Sequence, residues 1–222
     1  MLLNNLFLLD CCPLATSLTD IPSSACPENI GQIQRYWFVR KGVVVLDTVS
    51  PYSNSTPSGT LAGQDPTLLA TWNLLFSAAD DSHVVTTPLI GGDSTITAGT
   101  PVTFGGGDNS TLNGEQFVTA INPSDSSVRF DSLTAAQIAA FRKLTCEGSG
   151  LEVFLISQEG KIWGSQTGDL FKGFDCTNVV LGSLTNNGFG TRDSNTMTFQ
   201  LPFDWDETKS FLTPSDFNAL TV

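Results

Sequence analysis

Chemistry in this chain would have to start from its single histidine. His83 closes the run ADDSH, behind Asp80, Asp81 and Ser82. An aspartate that orients a histidine toward a serine is the arrangement of acyl transfer. Residues one and three positions from the histidine seldom meet in that geometry, and no G-x-S-x-G elbow presents a nucleophile. A histidine in solvent or at a helix end is the plainer expectation. Asp204, Asp206 and Glu207 in FDWDE, with Asp216 nearby, offer oxygens to a cation. Calcium wants six or more oxygens around a glycine-enabled turn, and the D-x-[DN]-x-[DN]-G order is missing, so a solvated acidic rim is expected. Gly105-Gly106-Gly107-Asp108 has a phosphate loop's texture without the Gly-Lys-Ser/Thr and helix start that a P-loop needs. It reads as a flexible turn.

Trp37, Trp72, Trp163 and Trp205 could stack on sugar rings, but their spread along the chain suits core and subunit-interface packing better. The five cysteines, Cys11, Cys12, Cys26, Cys146 and Cys176, have no CxxC spacing, and one histidine cannot complete a Cys/His zinc set with them. Reduced thiols of a cytosol-assembled protein are expected. A disulfide from Cys11 or Cys12 to Cys26 has only proximity behind it. No catalytic, cofactor-binding or metal-binding residue is therefore nominated. No cofactor is expected, and the chain reads as a non-enzyme.

Composition narrows the classes. The 222 residues suit one β-rich domain or two small subdomains sharing a core. Charged residues are only 14 %, so Ser, Thr, Asn, Gln and Gly must cover much of the surface. The net charge is −12 and the ten basic residues are scattered, Arg35, Arg40 and Lys41 forming the one dense group. A groove that grips nucleic acid needs clustered cations, so that class is disfavoured; a surface past which DNA slides without sticking is compatible. The opening MLLNNLFLLDCCPLATS lacks a basic n-region, and Asn4, Asn5 and Asp10 break its apolar run, so a strand or arm is expected there instead of a signal peptide. No stretch reaches transmembrane length without charge, and no membrane partner is expected.

Stepping along the chain, residues 1–30 read as an irregular N-terminal arm punctuated by Pro13, Pro22 and Pro27. Residues 31–222 read as a single β-rich domain. GQIQRYWFVRKGVVVLDTV suggests two strands with a turn at Lys41-Gly42; Trp37 and Phe38 fall on opposite faces, so both faces should be covered, one of them by a neighbouring chain. Residues 50–66, broken by three prolines and two glycines, form a long loop of the kind that orders against a partner. Pro66 then sits at the first position of an amphipathic helix carrying Leu68, Leu69, Trp72, Leu75 and Phe76, with a strand as the competing reading. Short strands follow in HVVTTPLI, STITAGTPVTF, GEQFVTAINP and SSVRF, with Asn113-Gly114 as a two-residue hairpin turn. A helix over about 133–147 starts at a capping box, Thr134 with Gln137, and ends near Gly148 or Gly150. LEVFLIS, the turn Glu159-Gly160 and KIWGS make a hairpin; FDCTNVVLGSLT and NTMTFQLPF supply two more strands. The expectation is a mainly β sandwich or barrel with one or two flanking α-helices.

The helix–hairpin unit Leu133–Gly164, followed by FDCTNVVLGSLTNNGFGTRDSNTMTFQLPFDW, resembles structural proteins of tailed bacteriophages, and in its order of elements it is similar to the tail-tube family. The likeness covers about the second half of the chain. It implies a tail-tube-like fold and a virion subunit assembled in the host cytoplasm. It also implies partners: copies of itself in rings, usually hexameric, that stack into a hollow tube, together with other virion proteins, DNA passing through the lumen without specific binding. A connector or head-decoration protein of the virion would share these features. A carbohydrate-binding, adhesin-like β-domain is the reading from another class.

Overall fold

The structure, a computed structural model, describes residues 29–49, 64–106, 114–148 and 150–222. Residues 1–28 of the arm and 50–63 of the long loop therefore lie outside the described residues, as do Asn113, Gly107 and Asp108. The chain is mainly β, with a curled half-barrel sheet and two helices. Its elements run β1 (Ile33–Arg40), β2 (Val45–Asp47), α1 (Leu69–Phe76), β3 (Val85–Thr86), β4 (Ser94–Thr97) and β5 (Pro101–Gly105). Then come β6 (Gln116–Ile121), β7 (Ser124–Asp131), α2 (Ala135–Thr145), β8 (Leu151–Ser157) and β9 (Ile162–Thr167). The last are β10 (Leu170–Lys172), β11 (Phe174–Leu181), β12 (Ser194–Leu201) and β13 (Lys209–Leu212).

Eleven strands form one sheet along the path β2-β10-β9-β8-β11-β12-β7-β4, with β1 on β8, β3 on β1 and β13 on β9. β8 organises it. On one edge β1 pairs along its whole length, from Leu151 to Ser157. On the other edge β11 takes Leu151–Val153 and β9 takes Leu155 and Ile156, so the sheet divides there and curls.

Alternation along β1 and β8 sends side chains into two cores. Tyr36 and Phe38 join Leu151, Val153 and Leu155 in the first, which α2 closes with Phe141 and Leu144 and β7 and β12 close with Phe130 and Phe199. Trp37 and Val39 join Phe154 and Ile156 in the second, closed by Trp72 and Leu75 of α1, Phe171 and Ala219. All seven residues of β8 are buried. A strand buried on both faces reads as a continuous apolar run, which is why LEVFLIS does not alternate. The covering of both faces comes from within the chain, where the sequence pointed to a neighbour. The segment that completes the second face, Phe217 to Val222 beside Leu212, is short and irregular, and its distant role leaves no periodic trace.

The helix–hairpin unit forms as its residues dictate. The Thr134 side chain accepts from the Gln137 N–H while Gln137 reaches back to the Thr134 N–H at 2.8 Å, and Arg142 and Lys143 lie in the last turn where cations suit the helix dipole. Helix α1 is a partial correction. It starts at Leu69, not Pro66, because Pro66 and Thr67 belong to a turn that Asp65 ties down through the Thr67 N–H and hydroxyl. Its N-cap Leu68 has no capping side chain; Asp216, 147 residues away, accepts from the Leu69 N–H at 2.8 Å.

The two-residue turn expected at Asn113-Gly114 rests on Asn113, outside the described residues. β5 and β6 do pair antiparallel, but Gly105 faces Gln116, so residues 106–115 all lie between the strands. Of HVVTTPLI only Val85 and Thr86 are strand. β10 and β13 had no reading at all: three and four residues long, they are recruited by pairing with β9.

Candidate functional site

The histidine does not meet its neighbours in a relay. The Asp80 carboxylate accepts from both the N–H and the hydroxyl of buried Ser82, and these bonds, the hydroxyl's first, hold Asp80 below the usual carboxylate range. Asp81 pairs with Arg40, which also reaches Glu147 at 3.2 Å. His83 itself is exposed at the edge of two concavities, one lined by Asp80, Asp81, Arg40 and Glu147, the other by Phe76, Val84, Val85 and Val222. The local sequence explains this: an aspartate two residues before a serine closes an Asx-type turn on it, and that turn spends the acid.

The FDWDE carboxylates are not gathered either. Asp216 is drawn to α1, and among the described residues no group of three or more His, Cys, Asp or Glu side chains is placed to hold a metal ion. Trp37, Trp72 and Trp163 are core residues, and Trp205, partly buried, stands edge-to-face on Phe174 at 5.2 Å. Trp205 lines a cleft of about 140 Å³ with Lys172, Asp175, Asp204 and Glu207. Cys146 is exposed and Cys176 buried, both as free thiols. Gly105 ends β5; Gly107 and Asp108 lie outside the described residues.

One charged network escaped the sequence reading. Glu152, in the middle of the apolar run of β8, has no solvent exposure. Its Oε1 accepts from the Gly42 N–H at 3.1 Å and lies 3.6 Å from Lys172 Nζ, while its Oε2 has no hydrogen-bond partner. Burial pushes its carboxyl up to about 7, against the pull of Lys172. Lys172 bridges on to Asp175 at 3.2 Å, and Lys41 meets the other Asp175 oxygen at 2.7 Å. Burial alone would raise Asp175, but Lys41 and Lys172 hold it below its ordinary value. The signal was present: a lone acid in a strand buried on both faces must find a cation.

The most unusual surfaces are apolar. β5 and β6 form a separate two-stranded ribbon, hydrogen-bonded to no other strand among the described residues. It prolongs the β4–β7 ladder, whose last pair is Thr97 with Asp125, beyond a joint at residues 98–100 and 122–123. The joint is tight: a Cβ on Gly99 would fall 1.7 Å from the Asn122 carbonyl oxygen, so only glycine fits. Phe104 stands opposite Phe117, with Val102 on the same face by alternation. These three side chains are 53 %, 51 % and 42 % exposed, and Val118 on the opposite face is 48 % exposed. The second such surface is the loop 182–193 between β11 and β12, which holds Phe189 fully exposed between Gly188 and Gly190, both at positive φ. A phenylalanine isolated between glycines in a polar loop was readable as a presented side chain, and the sequence reading passed over it.

No family model, curated protein or solved structure matches the chain.

Proposed function

We propose that the protein is a structural subunit of a tailed-bacteriophage virion, a tail tube protein whose copies assemble into stacked rings around a DNA conduit. The observation that carries this reading is the β5–β6 ribbon. A two-stranded hairpin is marginal in water by itself, and this one carries exposed Phe104, Phe117, Val102 and Val118. Exposed apolar groups of that kind mark interaction surfaces or aggregation liabilities. Between Asp93 and Asp125 the described residues bear one charged side chain, Glu115, so like-charged copies can approach there without strong repulsion. The net charge of −12 supports a lumen that DNA traverses without binding. The two-faced burial of β1 and β8 lends nothing to this reading, since the chain covers both faces itself. The carbohydrate-binding alternative loses its platform, because three of the four tryptophans are inside.

The test is assembly of the purified full chain, followed by sedimentation velocity and negative-stain microscopy. Rings or tubes are expected, and Phe104→Asp with Phe117→Asp should abolish them while near-ultraviolet circular dichroism stays native. Rings that never stack would assign the chain to a connector or head-decoration role instead. A wild-type chain that stays monomeric at high concentration defeats the proposal.

A further inference from the structure

The loop 182–193 is built to keep one ring in the open. The Thr185 and Ser194 backbones exchange two hydrogen bonds, at 2.8 and 3.1 Å. The Asn187 amide donates to the Arg192 carbonyl at 2.8 Å and to Ser194 Oγ at 3.2 Å, and the Asn186 amide donates to Asp193 at 2.9 Å. Inside this frame Phe189 touches water on every side. Leaving a phenylalanine exposed on an ordered loop forgoes the burial of its ring in the isolated subunit, and seating that ring in an apolar pocket recovers it.

The same chain offers a hole of suitable chemistry. Between α1 and β3 lies a cleft of about 450 Å³ lined by Phe76, Val84, Val85 and Val222, with Asn73 and Thr86 among its polar groups. An apolar cavity of about 150 Å³ is enough to take up benzene. The Trp205 cleft, about 140 Å³, is crowded by Lys172, Asp175, Asp204 and Glu207 and suits a phenyl ring poorly. Charge selects the same place. Arg192, three residues beyond the knob, makes no ion pair among the described residues. The concavity that shares His83 and Val85 with the Phe76 cleft holds three carboxylates, Asp80, Asp81 and Glu147, against the one cation Arg40 that already pairs with Asp81 and Glu147, so it keeps an excess of negative charge. A cation beside the knob thus matches the net negative rim beside the hole.

We propose that Phe189 inserts into the cleft between α1 and β3 of a second copy of the chain, with Arg192 of the first copy facing Asp80 and Asp81 of the second. Phe189 is fully exposed in its own subunit, so the cleft it fills belongs to another. Such a contact joins two different patches head to tail; repeated, it closes into a ring where the rotation allows and otherwise runs on as a filament. The proposal rests on the self-assembly reading and names the contact within it.

The experiment places a photoreactive benzoylphenylalanine at position 189 of the full chain. The assembled protein is irradiated and the joined peptides are identified by mass spectrometry. Cross-links to residues 73–86 of a second copy are expected. In parallel, Phe189→Ala and the cleft-filling Thr86→Trp should each raise the concentration for half-assembly about tenfold or more. Phe189→Ala should do so with an unchanged melting temperature when both proteins are measured below the concentration at which either assembles, because the side chain is fully exposed in the single subunit. Arg192→Glu should weaken assembly most at low salt. If the wild type assembles while the cross-links land on the β5–β6 ribbon or elsewhere, or Phe189→Ala assembles as before, the knob-and-hole contact is overturned and self-assembly stands. If the wild type never assembles, both fall together.

Discussion

Replacing Glu152 with glutamine should remove a pH dependence of stability from the folded chain. Burial raises this carboxyl from 4.5 to about 7, with one oxygen held by the Gly42 N–H and near Lys172 and the other oxygen unpartnered. Because the folded value lies above the unfolded one, the folded state binds the extra proton between those two limits. The associated stability is fully present below pH 4.5 and is lost as pH rises through about 7. Integrating the linkage between pH 5.5 and pH 8 gives a loss of about 2 kcal/mol from this group alone. Asp80 and Asp175, held low in the folded state, act in the opposite sense, but their contribution is lost only at more acidic pH. Glutamine keeps the shape and an acceptor for the Gly42 N–H without a titrating proton. Urea denaturation of wild type and Glu152→Gln, at pH 5.5 and pH 8 and at one fixed protein concentration, isolates the term. The wild type should lose about 2 kcal/mol more than the variant. Parallel pH profiles for the two proteins would refute the reasoning, since they would mean that Glu152 meets the same surroundings folded and unfolded.

Trp72→Ala should destabilise the fold by about 3–5 kcal/mol in urea denaturation, because its ring packs on Trp37 at 4.8 Å and Phe154 at 5.5 Å and its indole N–H donates to the Pro66 carbonyl at 2.8 Å. The two described thiols should separate in a titration with a thiol reagent. Exposed Cys146 reacts in the native protein, whereas buried Cys176, its thiol pushed up by burial, reacts only once the chain is unfolded.

What the sequence made legible was local. Thr134 and Gln137 sit three residues apart, so a capping box can be read without knowing anything distant, and the turn at Glu159-Gly160 is equally self-contained. What escaped depends on partners far along the chain. β10 is three residues whose strand character comes from β9 and β2, and β13 joins only by lying against β9. The two-faced strands were legible as buried, but the cover was assigned to another copy because Ala219 and Phe217, which complete the second core, carry no periodic signature. Glu152 shows the same asymmetry. Its oddity is plain in LEVFLIS, yet the cations that answer it, Lys172 directly and Lys41 through Asp175, come from separate turns and strands. The exposed apolar surfaces were half visible: alternation gave the ribbon its strands, but nothing local says that no other described strand pairs with them.

Helix α1 borrows its missing cap from Asp216, and the Ser215 N–H reaches back to the Thr67 carbonyl at 2.9 Å in the same place. During synthesis this helix must wait, one end unfinished, while 147 further residues leave the ribosome. Loop closure over that span adds only slowly to the entropic toll, yet it delays the contact itself. The half of the molecule around Trp72 should therefore be last to set in nascent protein. Shortening the tail ahead of Ser215 should leave the opposite half, organised by α2, the better protected against proteases.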